Sequence, residues 1–395
     1  MKRIAFVVPW YGDNIPGGAE AALRGITDHL YQAGMDIEIL TTTVEKFTAD
    51  WNKNFYKAGQ YTSKVGIPIQ RFKVRKRDVA AFDKVNAKLI NGGTLTMDEE
   101  EIFNREMINS PDLYKYIGTH KDSYSFFVYI PYMFGTTYWG INECPEKSVM
   151  IPCFHDESYA YMKLFYKMYS SVAGMLFNAL PEQLLASRLY DISRMKTEVM
   201  GLGVDTNLTY DAERFRKKFH IEEPFILYAG RKDEGKNVHT LLEYFGRYKE
   251  RHEDNLKLVL IGGGEMDIPE QIKGDVYDLG FVDIQDKYDA YGAAELLCQP
   301  SHNESFSFVI MESWLCNRPV LVHERCEVTK NFAIVSDGGL YFNNFWDFEG
   351  AVRYMIEHPD KADQMGKNGH AYVDQNFAWD VIVAKYQAFF EALEQ

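Results

Sequence analysis

The sequence lacks the features that mark membrane-spanning, secreted, disulfide-bonded and nucleic-acid-binding chains. Its longest nearly apolar run, residues 126–134, is too short to cross a bilayer, and we expect no secretory signal at its start. The five cysteines are an odd number without a Cys-x-x-Cys pair, which favours a reducing cytoplasm. The net charge of −14 comes almost entirely from residues after 205, so nucleic acid is not an expected partner.

A zinc site is also excluded. Cysteine and histidine cluster late in the chain, at Cys298, His302, Cys316, His323 and Cys326. Their spacings fit no common zinc pattern, and Cys298 and Cys316 lie in apolar strand or helix contexts. We therefore interpret the cysteines as core residues and predict no metal centre.

What the sequence does contain is an alternation of strand and helix patterns that occurs twice. The buried run at residues 2–9, a loop with Gly17 and Gly18, a helix with Leu23, Ile26 and Leu30, and a strand at 37–40 form a βαβ beginning. After Pro224 the alternation restarts. Two doubly wound α/β domains are predicted. Their expected bounds are 1–203 for the first domain, 204–223 for a linker, 224–377 for the second domain, and about 378–395 for a closing helix.

The region between residues 44 and 123 is harder to interpret. Residues 71–77 alternate basic and apolar side chains, which predicts a strand with a solvated basic face or, alternatively, a patch for an anionic acceptor or phosphate headgroups. Residues 97–106 predict a solvated acidic helix, and residues 135–137 a helix start with a hydroxyl cap. Five apolar or aromatic positions from Tyr159 to Tyr169 have helical spacing, which predicts core packing or an acceptor-facing or membrane-facing surface.

Four stretches carry candidate site residues. Glu304 and Glu312 flank an apolar run that predicts a helix, whose first N–H groups, at about Ser305 to Phe308, could bind an anion. Both carboxylates could equally be surface charges. Arg231 and Lys236 share one loop after a predicted strand. They could clamp a diphosphate, or they could simply be charged residues of a solvated loop.

The other two stretches lie in the first half of the chain. His155 follows a predicted strand, at the end of a parallel strand where α/β sheets bind ligands, although a structural histidine fits as well. Gly17 and Gly18 either let the backbone approach a ligand or serve only a tight turn.

Taken in order, these stretches resemble a known family. A glycine-pair loop after the first strand, His155-Asp156 at mid-domain, Gly230-Arg231-x4-Lys236-Asn237, and Glu304-x7-Glu312 occur together, and Phe377 and Trp379 precede the closing helix. The combination resembles the retaining GT-B glycosyltransferases of the family 4 type, over most of the chain. That resemblance implies two Rossmann-like domains facing a cleft, with the C-terminal helix crossing back to the N-terminal domain.

The resemblance also implies roles for the residues. Arg231 and Lys236 would hold the donor diphosphate, Glu304 the donor sugar, Glu312 the ribose hydroxyls, and His155 would lie near the transferred sugar. The remaining donor contacts would come largely from backbone groups at Gly17, Gly18, Phe281, Val282, Ser305, Phe306 and Ser307. The family pattern Glu-Gly-Phe-Gly is replaced here by Glu304-Ser305-Phe306-Ser307, a departure beside the phosphate site.

The implied function is transfer of a hexose from a GDP- or UDP-linked sugar to a saccharide or lipid-linked saccharide acceptor, with retention and without a cofactor. No Asp-x-Asp triplet occurs, so we expect no metal requirement. A cytoplasmic protein, with peripheral contact at the inner face of the membrane, fits the composition. The alternatives are another GT-B enzyme, such as a sugar-nucleotide epimerase or a phosphorylase, and a non-catalytic glycan-binding subunit.

Overall fold

Two separate β-sheets organise the chain. The computed structural model describes residues 2–15 and 18–395. The chain divides into one unit formed by Met1–Gly203 together with Trp379–Gln395 and a second unit formed by Val204–Ala378. Each unit has a largely parallel sheet with intervening helices, so the predicted α/β class is confirmed. Across the described residues, no helix combines the length and apolar character that a membrane crossing needs.

The first unit is built on eight strands. They are β1 (Arg3–Val8), β2 (Ile37–Thr42), β3 (Gly59–Thr62), β4 (Pro68–Phe72), β5 (Tyr124–Tyr129), β6 (Ser148–Met150), β7 (Gly174–Phe177) and β8 (Lys196–Val199). Their order is β3-β4-β2-β1-β5-β6-β7-β8, and all pairs are parallel except β3 with β4. The apolar run of β1 lies at the centre, where Phe6 pairs with Ile39 on one side and Val128 on the other. Burial on both faces explains why this strand is continuously apolar.

Within the described residues, seven α-helices connect these strands. They are α1 (Gly18–Gln32), α2 (Val79–Ile90), α3 (Met97–Glu106), α4 (Pro111–His120), α5 (Gly135–Glu143), α6 (Lys163–Tyr169) and α7 (Leu180–Leu189). Helix α1 buries Leu23, Ile26 and Leu30, as their spacing predicts. It is followed by Gly34 with φ of +86°, a conformation that glycine adopts without strain.

The second unit has a six-stranded, wholly parallel sheet. Its strands are β9 (Phe225–Ala229), β10 (Lys257–Ile261), β11 (Val276–Gly280), β12 (Leu296–Gln299), β13 (Val320–His323) and β14 (Gly339–Phe342). Its helices are α8 (Ala212–Phe219), α9 (Val238–Arg251), α10 (Ile284–Ala293), α11 (Phe308–Leu315), α12 (Glu327–Ser336), α13 (Phe345–Glu357) and α14 (Pro359–Phe377). The order β11-β10-β9-β12-β13-β14 is that of a dinucleotide-binding Rossmann sheet. The sequence pattern missed β14 and α12.

The segment predicted as a linker, residues 204–223, contains α8, which packs on α10. Arg214 and Lys218 of α8 both bind Asp286, at 2.6 and 2.7 Å, and Arg214 also pairs with Asp289. These partners lie far along the chain, so the local sequence, which is charged and weakly apolar, gave no sign of the packing.

The last helix, α15 (Trp379–Glu394), belongs to the first unit. Its Trp379 ring stacks on His29 of α1, with ring centroids 3.8 Å apart and planes 6° apart. A side chain at Gly203 would meet this indole at 2.1 Å, which explains the glycine there. Phe390 stacks on Phe126 of β5 at 5.6 Å. The predicted return of the C-terminal helix to the N-terminal unit is therefore confirmed.

Several predictions for the first unit are wrong in detail. Strand β4 ends at Phe72, and Arg71 is buried rather than on a solvated face. Helix α5 has no side-chain cap, since its N-cap position is Phe134. Helix α3 does begin with a capping box at Thr96, but its Glu100 is buried because it accepts the backbone N–H groups that begin α6.

The aromatic helix after His155 follows the core interpretation in most positions. Met162, Phe165 and Tyr169 are buried, and Phe165 stacks on Tyr169 with centroids 4.8 Å apart. Tyr166 is the exception, with about half of its surface exposed. The spacing was therefore mostly a signature of packing.

Candidate active site

The second sheet has a topological switch point between β9 and β12. Strands β10 and β11 extend the sheet on one side of β9, whereas β12, β13 and β14 extend it on the other. Loops that leave the carboxyl ends of β9 and β12 therefore diverge, and ligands of open α/β sheets bind in the resulting crevice. Residues 230–237 follow β9, and residues 300–307 follow β12.

The loop after β9 is fixed against the glycines after β10. Lys232 N donates to Gly263 O at 2.7 Å. A Cβ at Gly262 would lie 1.9 Å from Gly230 O, and one at Gly264 would lie 2.6 Å from Lys232 O. Both glycines also have positive φ, of 123° and 101°. Gly262 and Gly264 are thus required by the close approach of the two backbone segments.

Lys236 and Glu304, predicted as separate ligand contacts, are bonded to each other. Lys236 Nζ lies 2.7 Å from Glu304 Oε1. Gln299, at the end of β12, donates to the same oxygen at 3.0 Å. Both side chains of the pair are largely shielded from solvent, at 22% and 11% exposure. The pair joins the two loops at the switch point.

Asn237, which the sequence analysis includes in the motif without giving it a role, strengthens this junction. It is buried, and its Nδ2 donates to Pro300 O and contacts His302 Nε2, both at 3.0 Å. Its φ of 56° places it in the left-handed region, which asparagine tolerates better than most residues. An asparagine directly after Lys236 is the local signal that could have indicated a fixed loop.

The other half of the predicted clamp lies at the surface. The Arg231 side chain is 77% exposed, and its Nε is 3.5 Å from Asp233 Oδ2 on the same loop. The next residue, Lys232, is only 2% exposed and pairs with Asp278 of β11. Sequence reasoning missed Lys232 because its partner belongs to a different strand, far along the chain.

The predicted helix mouth differs from the expectation. Helix α11 begins at Phe308, so Ser305, Phe306 and Ser307 precede it. Glu312 lies about one turn inside the helix, where the sequence pattern predicts a little over two turns. Phe306 is a core residue, with its ring centroid 5.5 Å from Phe332 and 5.0 Å from Phe377. Ser307 has φ of 81°, which turns the chain into the helix.

Glu312 is held by α10. Its Oε1 lies 2.6 Å from Lys287 Nζ, and its Oε2 accepts from the Tyr291 hydroxyl at 2.9 Å. Burial and the nearby carboxylate raise the pKa of Tyr291 well above its usual value, so it remains a donor. Lys287 is a second site residue that the sequence pattern missed.

Phe281 and Val282 follow β11 at the same carboxyl edge. Phe281 is 89% exposed, and Gly280 before it has φ of 63°. Gly262 N donates to Gly280 O at 2.7 Å, which fixes this turn beside the glycine run after β10. The backbone at residues 281–282 is therefore presented at the surface of the second unit.

His155 and Gly18 belong to the first unit, and Gly17 lies outside the described residues. Gly18 is the first residue of α1, and a Cβ there would meet nothing within 4 Å. His155 Nδ1 lies 3.7 Å from Glu157 Oε1, which also accepts from the Tyr132 hydroxyl at 2.8 Å. Beside them is a cavity of about 590 Å³, lined by residues including Asp156, Glu157 and Tyr161.

A buried glutamate supports the His155 loop. Glu182 accepts the backbone N–H of Phe154 at 2.7 Å and that of Asn178 at 2.6 Å. Burial raises the pKa of Glu182 to about 7. This carboxyl group ties the loop after β6 to the start of α7, and its position in a helix first turn was its only sequence signal.

The late cysteines belong to the core, as predicted, while His302 is partly buried and His323 is buried. The His302 and His323 rings pack with centroids 4.4 Å apart, and burial lowers the pKa of His323 to about 4. Cys298, Cys316 and Cys326 are buried free thiols. In the part of the chain that the structure describes, no three His, Cys, Asp or Glu side chains form a metal-binding group.

Solved structures define the class of fold. Sucrose-phosphate synthase from Thermosynechococcus elongatus matches with a TM-score of 0.71, covering 100% of this chain and 99% of its own, at 17% identity. Anabaena HepE in complex with UDP and glucose matches with a TM-score of 0.70, covering 99% of this chain and 100% of its own, at 15% identity. The chain has the fold of the GT-B glycosyltransferases, with two Rossmann-like units.

The family follows from the second unit. Residues 210–372 match the family described as Glycosyl transferases group 1, so this part of the chain is a domain of that family, and the predicted resemblance is confirmed. D-rhamnosyltransferase WbpZ of Pseudomonas aeruginosa is 26% identical over 199 residues, which are 47% of this chain and 50% of that protein.

Two further relatives are also named as glycosyltransferases. A D-inositol 3-phosphate glycosyltransferase of Gordonia bronchialis is 28% identical over 138 residues, which are 32% of this chain and 30% of that protein. An N-acetylgalactosaminyltransferase of Campylobacter jejuni, named for a saccharide linked to diphospho-undecaprenol, is 29% identical over 201 residues, which are 48% of this chain and 52% of that protein. The chain spans about a third to a half of the length of these curated relatives.

Proposed function

We propose that the chain is a retaining glycosyltransferase. It moves a hexose from a GDP- or UDP-linked sugar to a saccharide or lipid-linked saccharide acceptor, in cell-surface polysaccharide synthesis and without a metal ion. The observation that carries this proposal is the Lys236–Glu304 pair at the switch point of a glycosyl transferases group 1 domain. A cation and a hydroxyl-binding carboxylate in contact suit a ligand that joins a diphosphate to a sugar.

Lys236 can bind the diphosphate while it keeps its ion pair with Glu304. An ammonium group has three N–H donors, of which the contact at 2.7 Å uses one. The other two remain for phosphate oxygens. Arg231, whose side chain is 77% exposed, can reorient towards the same diphosphate and bind it in bidentate fashion.

Glu304 also has acceptor capacity left. Lys236 and Gln299 both contact Oε1, at 2.7 and 3.0 Å. Oε2 can therefore accept from a donor-sugar hydroxyl while Oε1 keeps the carboxylate in place. The negative charge of Glu304 also favours the positive charge that develops on the sugar in an oxocarbenium-like transition state.

The two cations act where negative charge builds up. As the glycosidic bond to phosphate breaks, electrons move onto the departing diphosphate, and fixed positive charges stabilise that state more than the bound substrate. Backbone N–H groups at Ser305, Phe306 and Ser307 would add to this. Retention then follows from front-face attack, with the leaving phosphate taking the acceptor proton, so no protein base is assigned.

The nucleoside would lie further along the same edge. Glu312, held by Lys287 and Tyr291, has further lone pairs for the ribose hydroxyls. The backbone at Phe281 and Val282 would meet the base. The roles that the resemblance implies for His155, Gly17 and Gly18 of the first unit stay predictions.

The acceptor and the compartment are proposed on separate grounds. One relative is named for a saccharide linked to diphospho-undecaprenol, which favours a lipid-linked saccharide as acceptor. The free cysteines favour the cytoplasm, and we place the reaction there, with peripheral contact at the inner face of the membrane.

Nucleotide binding is the first test. Thermal-shift titration of the whole chain with UDP, GDP, ADP and dTDP should show stabilisation by at least one nucleotide, because a ligand that binds only the folded state raises the melting temperature. Stabilisation by none of the four would contradict the proposal and favour a non-catalytic subunit. Incubation with the donor alone, followed by analysis for an isomerised nucleotide sugar, separates an epimerase from a transferase.

Lys236→Ala is the second test, and the chain offers a matched control. Lys257, at the amino end of β10, also forms a 2.7 Å ion pair, with Asp275, and its side chain is 15% exposed. Transfer should fall at least about a hundredfold in Lys236→Ala, the scale of losing one transition-state charge contact, and stay near wild type in Lys257→Ala. Equal activity of the two variants would refute the assignment of Lys236.

A further inference from the structure

A second cavity in the first unit has no role in the function proposed above. Its volume is about 400 Å³, within the range of small-molecule sites. It lies past the carboxyl ends of β1 and β2 and beside β3 and β4. Its charged and aromatic lining includes Asp13, Glu45, Lys46, Tyr56, Tyr61 and Arg71.

Arg71 is the unusual member of this lining. The residue is 5% exposed, and its guanidinium carbon lies 4.1 Å from the ring centroid of Tyr56 and 5.5 Å from that of Tyr61. Its Nη2 donates to Tyr11 O at 2.8 Å and its Nη1 to Thr42 O at 3.3 Å. Nε is buried and, within the described residues, has no hydrogen-bond partner.

In the described part of the chain, Arg71 also has no direct ion pair. Among the described residues, no carboxylate lies within ion-pair distance of its guanidinium, whereas the nearby Arg75 pairs with Glu106 at 3.2 Å. Burial lowers the pKa of Arg71, which reflects the cost of holding this cation away from water. Buried charges are ordinarily paired, so a missing counter-charge beside a cavity indicates a ligand that supplies it.

The two carboxylates of the lining do not fill this role. The charge of Asp13 favours the Arg71 cation from a distance, but Asp13 and Glu45 form no ion pair with it, and both are partly exposed, so water screens their charges. Lys46, at the exposed rim, adds a second cation. The carboxylates are well suited to accept hydroxyl groups instead, and the tyrosine rings offer faces for a sugar ring.

We propose that this cavity binds the acidic group of an anionic saccharide, a sugar phosphate or a sugar carboxylate, with Arg71 and Lys46 as its counter-charges. The assignment of that saccharide as the acceptor rests on the glycosyltransferase function proposed above. The sugar hydroxyls face Asp13 and Glu45, and the acid group completes the hydrogen bonding of the Arg71 guanidinium.

The test is a calorimetric titration of the whole chain with glucose 6-phosphate, glucuronate and uncharged glucose. A saturating concentration of the best-binding nucleotide is present, so that a phosphate group cannot simply occupy the donor site. At least one acidic sugar should bind about tenfold or more tightly than glucose, a difference of about 1.4 kcal/mol. Tighter binding of glucose 6-phosphate would indicate a phosphate ligand, and tighter binding of glucuronate a carboxylate ligand. Equal affinity for all three sugars, or binding of none, would overturn the proposal.

Variants assign the effect to the cavity. Arg71→Met should abolish the preference for the acidic sugar, and Lys46→Gln, at the solvent-exposed rim, should reduce it even if Arg71→Met does not fold. The matched control is Arg77→Met, because Arg77 also stacks on aromatic rings, 4.9 Å from Trp51, but does not line the cavity. The same loss in the control, or an unchanged preference in both cavity variants, would contradict the assignment.

The test of the cavity can be distinguished from the test of nucleotide-sugar binding in the second unit. Nucleotide binding by the Arg71 and Lys46 variants should equal that of the wild type, because neither residue belongs to the second unit. If no nucleotide binds the wild type, the titration is run without nucleotide. A preference for acidic sugar then supports the cavity while the transferase proposal fails.

Discussion

Ser307 offers a sharp test of the structure at the candidate site. It occupies the second glycine position of the family pattern Glu-Gly-Phe-Gly, and it adopts φ of 81° and ψ of 81°. L-amino acids with a side chain reach this region only with strain. Its hydroxyl is also buried and, in the described part of the chain, makes no hydrogen bond. Ser307→Gly should therefore stabilise the second unit.

The size of the gain can be worked out from these two features. Relief of the backbone strain contributes about 1 kcal/mol, and removal of a buried, unpartnered hydroxyl contributes about 1–3 kcal/mol. The greater freedom of glycine in the unfolded chain opposes this by about 0.5–1 kcal/mol. The net expectation is about 2 kcal/mol, which for a domain of this size raises the melting temperature by roughly 4–8 °C.

Two controls separate the causes. Ser307→Ala removes the hydroxyl but keeps the strain, so it should recover about 1 kcal/mol. Ser305→Gly introduces glycine at the other family position, where φ is not positive, and should cost about 0.5–1 kcal/mol. Calorimetry and urea unfolding of the three variants measure these differences. A Ser307→Gly protein no more stable than Ser305→Gly would refute the reasoning.

Three further variants test neighbouring features. Lys232→Met should lower the free energy of unfolding by about 2–3 kcal/mol because it leaves Asp278 unpaired, and urea unfolding measures it. Burial raises the pKa of Glu182 to about 7 from its usual value of 4.5, so the folded state keeps this proton to higher pH than the unfolded chain. The contribution of Glu182 to stability should be full below about pH 4.5 and lost as the pH rises to about 7, and Glu182→Gln should remove that dependence in urea unfolding at pH 5 and 7. Lys287→Met removes the cation that holds Glu312, so it should weaken the binding of UDP, GDP and ADP, by roughly tenfold. The factor should be the same for all three nucleotides, because Glu312 would hold the ribose rather than the base. Unequal factors in calorimetric titration would contradict that role.

Local patterns were enough to predict much of the fold. The apolar periodicity of residues 238–251 and 345–357 predicts two helices, and α9 and α13 have these bounds. The continuously apolar residues 225–229 predict a buried parallel strand, and β9 has these bounds. The two-unit architecture followed from the repetition of such segments. These features depend on neighbours within a few residues, which a sequence displays directly.

Three elements of the second unit were harder to predict from the sequence. Strand β14 has only four residues, of which only Phe342 is fully buried, and so short a segment was missed. Helix α11 began later than predicted because Ser307 adopts a positive φ, which a serine in the sequence does not announce. Helix α8 was taken for a linker because ion pairs with α10 contribute much of its packing.

The candidate site shows the same division. The order of the loops indicated that Arg231, Lys236, Glu304 and Glu312 belong to one edge of a sheet. It could not indicate pairing, because the Lys236–Glu304 contact joins residues on different loops. For Arg71, a basic residue in an alternating pattern predicted exposure, and only the tertiary structure places two tyrosine rings against its guanidinium.

Charge pairing at this edge has a consequence for how a nucleotide sugar would bind. Lys232, Lys236 and Lys287 each contact a carboxylate, so three of the cations around the switch point are already neutralised. The chain as a whole carries a net charge of −14. Long-range attraction of an anionic donor is therefore weak, and affinity must come from contacts made at close range. The pairs make those contacts effective, because a lysine already fixed by a carboxylate loses little side-chain entropy when a phosphate binds it.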